Sequence, residues 1–150
     1  MSSGQGGTGV FKIYECDCVV CKAMCHAPCC GTPEEMEAIM DAGLGGRLCL
    51  DDWSGHPTDV QPALKGYEGR RAPYMVSSED GCTFYRDGKC ELHERGLKPI
   101  GGRAAYHDMV DEEYMKVEEH ILKSWKTKKA KEVIKRFKGE HLKRNDISRE

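Results

Sequence analysis

Nine cysteines stand in a chain of 150 residues, and they are not scattered. The first cluster runs Cys18-x2-Cys21-x3-Cys25-x3-Cys29-Cys30, with Cys16 just before it. The second is Cys82, Cys90 and His93. Thiolate sulfur and imidazole nitrogen are the ligands that hold Zn²⁺ and iron in small proteins, whereas an odd cysteine count cannot pair off completely as disulfides. The opening MSSGQGGTGVFKIYE has no basic segment followed by an apolar one, so it does not read as a secretory signal. No run approaches the ~18 apolar residues of a membrane span. A cytoplasmic location without membrane contact is therefore expected, and there thiols stay reduced and favour metal over disulfides. Cys21 and Cys25 are four apart, so one helical turn would bring both sulfurs to the same side, and Pro28 would end that turn. Cys90-x2-His93 is an acceptable spacing for a zinc pair. Isolated Cys49 reads as a small buried hydrophobe.

Tetrahedral thiolate sites suit both zinc and iron–sulfur chemistry. The spacing matches neither the C-x2-C-x2-C-x3-C run of bacterial ferredoxins nor the C-x3-C-x2-C of radical enzymes that use S-adenosylmethionine. Zn²⁺ is therefore the expected metal. Iron or an iron–sulfur cluster is the alternative, because there are more thiols than one four-ligand site needs. Other chemistries are poorly represented. Lys65-Gly66-Tyr67-Glu68-Gly69-Arg70-Arg71 lacks the Walker pattern and reads as a basic loop. G-x-S-x-G is absent, and so is the deaminase combination of His-x-Glu with Pro-Cys-x2-Cys. A Cys–His nucleophile using His26 would have to compete with metal for every neighbouring thiol. No catalytic residue is assigned, and the enzyme question stays open.

The elements that must position these ligands are short. Residues 1–9 are rich in Gly, Ser and Thr and read as disordered. Thr32-Pro33-Glu34-Glu35 is a strong helix start: Thr32 as N-cap, Pro33 in the first turn, Glu35 closing a capping box. Met36, Ile39 and Met40 then share one face, and Gly43 is a natural stop. Residues 44–81 show no sustained period and read as loops with short elements. Asp87-Gly88 signals a hairpin with two candidate registers. A two-residue turn pairs Tyr85 with Cys90 and sends Cys82 and Cys90 to opposite faces. A three-residue turn pairs Phe84 with Cys90 and puts both cysteines on one face, which is the register expected if both hold one metal. From about 108 to 138 the pattern is one long helix, its stripe of Val110, Tyr114, Val117, Ile121 and Trp125 slipping in phase before Val133, Ile134 and Phe137. Only its first half is expected to pack on the body.

Charge divides the chain at the same place. Residues 1–121 carry 12 basic and 21 acidic side chains, and residues 122–150 carry 11 and 4. The overall charge of −2 therefore hides an acidic body and a basic helix. A solvated helix face is the plain reading of Lys126, Lys128, Lys129, Lys131, Lys135, Arg136 and Lys138, and contact with nucleic acid or an acidic protein is the alternative. The expected fold is a small, loop-rich α+β domain over residues 10–107, stapled by metal, with a short β-hairpin. A basic C-terminal helix and tail follow at residues 108–150.

The segments Cys21-x3-Cys25-x3-Cys29-Cys30, Gly81-Cys82-Thr83-Phe84 and Gly88-Lys89-Cys90-Glu91-Leu92 resemble the cysteine-rich YkgJ-like proteins, described as a zinc- or iron-chelating domain. A narrower bacterial subgroup is similar also at Thr32-Pro33-Glu34-Glu35, Pro62-Ala63-Leu64-Lys65-Gly66-Tyr67-Glu68-Gly69, Cys90-Glu91-Leu92-His93 and Gly102-Arg103, so that the resemblance covers roughly residues 16–107. It implies Cys21, Cys25, Cys29, Cys82 and Cys90 as ligands. The broad family often follows its last hairpin with Arg-Pro, two residues and Cys-Arg; here Gly102 stands where that cysteine would be. Cys18 or His93 is the candidate to replace it.

Overall fold

A computed structural model describes residues 29–51, 59–72, 81–104 and 111–142. It is α+β, with short helices around two small antiparallel hairpins. The first helix, α1 (Pro33–Asp41), begins as its sequence requires. The Thr32 hydroxyl accepts from the Glu35 N–H at 3.3 Å, and the Glu35 carboxylate accepts from the Thr32 N–H at 3.0 Å. Gly43, at φ 85°, takes the left-handed conformation that releases the chain. Met36 and Ile39 are completely buried, which fixes the inward face of α1.

A 3-10 turn (Gly45–Arg47) leads into β1 (Leu48–Asp51), which pairs with β2 (Asp59–Pro62). Every residue of both strands is buried. Period-two alternation sends Leu48 and Leu50 into the main core, whereas Cys49 joins Ala63, Ala72 and Tyr67 in a second small cluster. Gly69 and Ala72 donate to the Leu48 and Leu50 carbonyls, so the chain after β2 returns along the outer side of β1. The reading of Cys49 as a packing residue agrees with this placement.

β3 (Tyr85–Arg86) and β4 (Lys89–Cys90) form the second hairpin, and α2 (Glu91–Glu94) and α3 (Ile100–Arg103) follow. Tyr85 pairs with Cys90 and Arg86 with Lys89. The turn is therefore the two-residue Asp87-Gly88 type, with φ 56° and 75°, and the three-residue register is not the one adopted. Arg47 braces this hairpin from outside its own segment. Its guanidinium donates to the Thr83 carbonyl at 2.8 Å and to Glu91 at 2.9 Å, and it lies 4.3 Å from the Phe84 ring centroid.

The basic C-terminal region is two helices, not one long one: α4 (Asp111–Ser124) and α5 (Lys128–His141). The phase slip in the apolar stripe is a break. Thr127 is extended at φ −99°, ψ 167°, and caps α5 by accepting from the Ala130 N–H at 3.2 Å. The break lets both stripes face inward. Val117 and Ile121 of α4, Trp125 between the helices, and Val133 and Phe137 of α5 all enter the one core that holds α1 and β1. The expectation that only the first half packs is thus corrected: α5 lies against α1, β2 and the 3-10 turn. Gly139 does not end the helix but sits inside it. Among the described residues no helix is long and apolar enough to cross a membrane.

Replacing Thr127 by Ala should lower stability by about 1 kcal/mol, read as a shift in urea midpoint at constant slope. An unchanged midpoint would mean that the break does not depend on its cap.

Candidate metal centre

Cys29 and Cys30 stand immediately before α1, and their position is set by a seam with α3. The Gly101 N–H donates to the Cys30 carbonyl at 2.9 Å. A Cβ on Gly101 would lie 2.3 Å from that same carbonyl oxygen, so only glycine allows the two backbones to approach. Glu35 closes the seam from the helix side. Beyond its capping role, its Oε1 accepts from the Ile100 N–H at 3.1 Å and its Oε2 from Arg103 Nη2 at 3.1 Å. Two side chains from the far end of the sequence complete it. Trp125 Nε1 donates to the Gly31 carbonyl at 2.7 Å, and the Tyr114 hydroxyl to the Gly101 carbonyl at 2.7 Å.

The two adjacent cysteines point to different surroundings. Cys30 is buried, and its thiol donates to Gln61 Oε1 at 3.2 Å. Gln61 in turn donates to Asp51 Oδ2 at 2.5 Å, and Asp51 stands directly opposite Asp59 in the strand register. Burial, with Asp59 next, raises the Cys30 thiol well above its ordinary value, so Cys30 is a neutral hydrogen-bond donor. Cys29 is half-buried and faces the second hairpin. Burial pushes its thiol up, the neighbouring sulfurs of Cys82 and then Cys90 push it further, and Lys98 opposes them. The Cys29 sulfur and the Lys98 Cε fall 2.8 and 2.9 Å from the point that a Cβ on Gly102 would occupy. Gly102 is thus the bare spot across which the sulfur and the lysine stem meet.

Cys82 arrives by a different route. It bridges to Leu64, and the Thr83 N–H donates to the Ala63 carbonyl at 2.8 Å, so this segment extends the edge of β2. The chain then turns sharply, with the Tyr85 N–H reaching the Cys82 carbonyl at 3.0 Å. That turn explains why Cys82 and Cys90 approach the same sulfur in a register expected to separate them. The ladder is two residues long on each side, and strict alternation does not extend back to Cys82. Burial pushes the Cys82 thiol up to about 11, while hydrogen bonds from the backbone N–H groups of Phe84 and Tyr85 to the sulfur, and the Arg47 charge, act against burial. Two backbone donors aimed at one sulfur favour its anionic form. Cys90 is half-buried at the end of β4, at the residue just before α2, without a side-chain capping bond.

Two segments distant in sequence, the one before α1 with Cys29 and the one around the second hairpin with Cys82 and Cys90, thus come near enough for their sulfurs to influence one another. Among the described residues no group of three or more His, Cys, Asp or Glu side chains closes to a metal-holding arrangement. Three thiols are the donor type of a thiolate centre, and at Cys82 the backbone N–H groups of Phe84 and Tyr85 favour the anionic form. Cys18, Cys21 and Cys25 lie outside the described residues. His93 is solvent-exposed on α2, while its neighbour Leu92 takes the core position. No protein-family model, no curated protein and no solved structure matches the chain.

Sequence reasoning missed the seam residues. Glu35 was legible as a cap but not as the acceptor for α3. The Gly101-Gly102 pair was the available signal of a close approach, Lys98 stood out only as part of the Gly96-Leu97-Lys98-Pro99 segment shared with the similar bacterial proteins, and nothing in the pattern marked Gln61.

Gly101→Ala should be among the more damaging small substitutions here, costing about 1–3 kcal/mol through forced separation of α3 from Cys30. Gly43→Ala, with open space around its Cβ but a left-handed backbone, should cost about 1 kcal/mol. Equal urea midpoints for the two variants would contradict the close approach as the decisive feature.

Proposed function

We propose that this chain is a cysteine-rich metal-binding protein, its metal a Zn²⁺ ion with a structural role in an accessory or interaction module. The observation that carries the reading is that Cys29, before α1, lies near enough to Cys82 and Cys90, around the second hairpin, for their sulfurs to raise its thiol. Three further features support it. The backbone N–H groups of Phe84 and Tyr85 act against the rise of the Cys82 thiol, the influence that suits a bound thiolate. Lys98 offsets part of the negative charge that several thiolates would gather. Gly102, at the position where YkgJ-like proteins often carry a further cysteine, lies directly against the Cys29 sulfur. Cys21 and Cys25, with Cys18 as the further candidate, are the thiols that would complete the ligand set. His93 is exposed, which makes it the weaker replacement.

A metal so held would tie the segment before α1 to the second hairpin, supplying the cohesion that a domain with two short hairpins and a small core needs. It would require the thiols as thiolates, and the backbone donors and Lys98 are the groups that accommodate that charge.

Elemental analysis of anaerobically purified protein should find about one zinc per chain. Cys29→Ser, Cys82→Ser and Cys90→Ser should each reduce that content several-fold, and Cys49→Ser should leave it unchanged. Metal well below one per chain would refute the reading. Iron with inorganic sulfide and a brown visible spectrum would keep the site but replace zinc with a cluster.

A further inference from the structure

The basic residues of α5 fall into two sets that do different things. On the flank that meets α1, Lys129 pairs with Glu37 at 2.7 Å, and Arg136 pairs with Asp41 at 2.8 Å and with Glu140 at 3.0 Å. These charges dock the helix. Lys128, Lys131, Lys135 and Lys138 are all exposed, and none of them is paired with an acidic side chain among the described residues. Their spacing of three, four and three residues lays them along one stripe, about 15 Å long at 1.5 Å per residue. Glu140 projects from the side of the helix that carries Lys129 and Arg136, and Glu132 stands at the edge of the stripe, four residues from Lys128 and three from Lys135.

We propose that this stripe binds the phosphate backbone of a nucleic acid without reading its bases. The alternative of an acidic protein fits less well. A protein partner needs a desolvated apolar centre, and lysine is depleted in such centres. The inward residues Ala130, Val133 and Phe137 are buried in the core, and Ile134, beside the stripe, packs partly against it, leaving little apolar surface for an anchor. A row of lysines, each a strongly hydrated point charge, suits phosphates that recur every 3.4 Å along a strand. The stripe carries no arginine fork and no aromatic ring, the groups that would read base edges or stack on bases. The acidic remainder of the chain would repel a polyanion, so contact is confined to this face.

The test uses the full-length protein as purified with its metal. Fluorescence anisotropy is read against a labelled DNA duplex of about 20 base pairs, of two unrelated sequences, with salt raised from about 50 to 200 mM. Both sequences should bind equally, and log K should fall against log salt with a slope of about −3 to −4, near −0.9 for each of four phosphate contacts. Changing Lys128, Lys131, Lys135 and Lys138 together to Gln should weaken binding more than about tenfold at low salt and flatten the slope. The same four changed to Arg should restore it, which separates lost charge from lost fold. Lys129→Gln should leave the slope unchanged. The proposal is overturned by a wild-type protein that does not bind at low salt, by a Gln variant that binds as wild type, by strong preference for one sequence, or by tighter binding to polyglutamate than to the duplex.

Discussion

The Glu35 carboxylate is the point on which the arrangement turns. As a capping-box residue it accepts from Thr32, which any such box would require. Here the same carboxylate also accepts from the first N–H of α3 and pairs with Arg103. One ionised side chain thereby fixes the start of α1, the start of α3 and the distance between them. Hydrogen bonds to a charged acceptor are roughly twice as strong as neutral ones. Losing the carboxylate would also leave partly buried N–H groups without their acceptor, the expensive case for any polar contact.

Everything near the candidate centre inherits its position from that seam. Gly101 and Gly102 have no side chains because the Cys30 carbonyl and the Cys29 sulfur occupy the space. Trp125 and Tyr114 reach in from the C-terminal helices to bond the Gly31 and Gly101 carbonyls. They satisfy backbone acceptors that the close approach would otherwise bury without partners. The C-terminal region therefore does more than append a charged helix. Its aromatic residues finish the hydrogen bonding of the segment that carries Cys29 and Cys30.

What the sequence revealed follows from the range of the forces involved. The cap at Thr32, the stop at Gly43 and the Asp87-Gly88 turn are local, and each was legible from a few adjacent residues. The hairpin register was legible as a choice between two turns, and the adopted one is not that which strict alternation would require for Cys82 and Cys90 to share a face. The ladder is too short for that rule to reach Cys82. β1 and β2 are each only four residues long, too short for a period to stand out, and both are buried throughout, including the polar residues Asp51, Asp59 and Gln61. Two acidic residues, Asp51 and Asp59, sit opposite each other inside, where a pattern reader places water. The phase slip near Trp125 was visible, yet a slip within a helix and a break between helices give the same apolar spacing. Only the cap at Thr127 distinguishes them.

The two adjacent thiols show why neither could be assigned from spacing alone. Cys29 and Cys30 have the same sequence surroundings, but consecutive residues in extended chain project to opposite sides. One sulfur turns towards Lys98 and the second hairpin. The other turns into a buried polar chain of Gln61 and Asp51 and acts as a donor. A metal held by Cys29 would be joined to the start of α1 through Cys30, Gly31 and Thr32, the first of which has its carbonyl clamped to Gly101. Cys30 thus anchors the backbone through its carbonyl and thiol while the Cys29 sulfur turns the other way, and the seam set by Glu35 fixes where that sulfur lies.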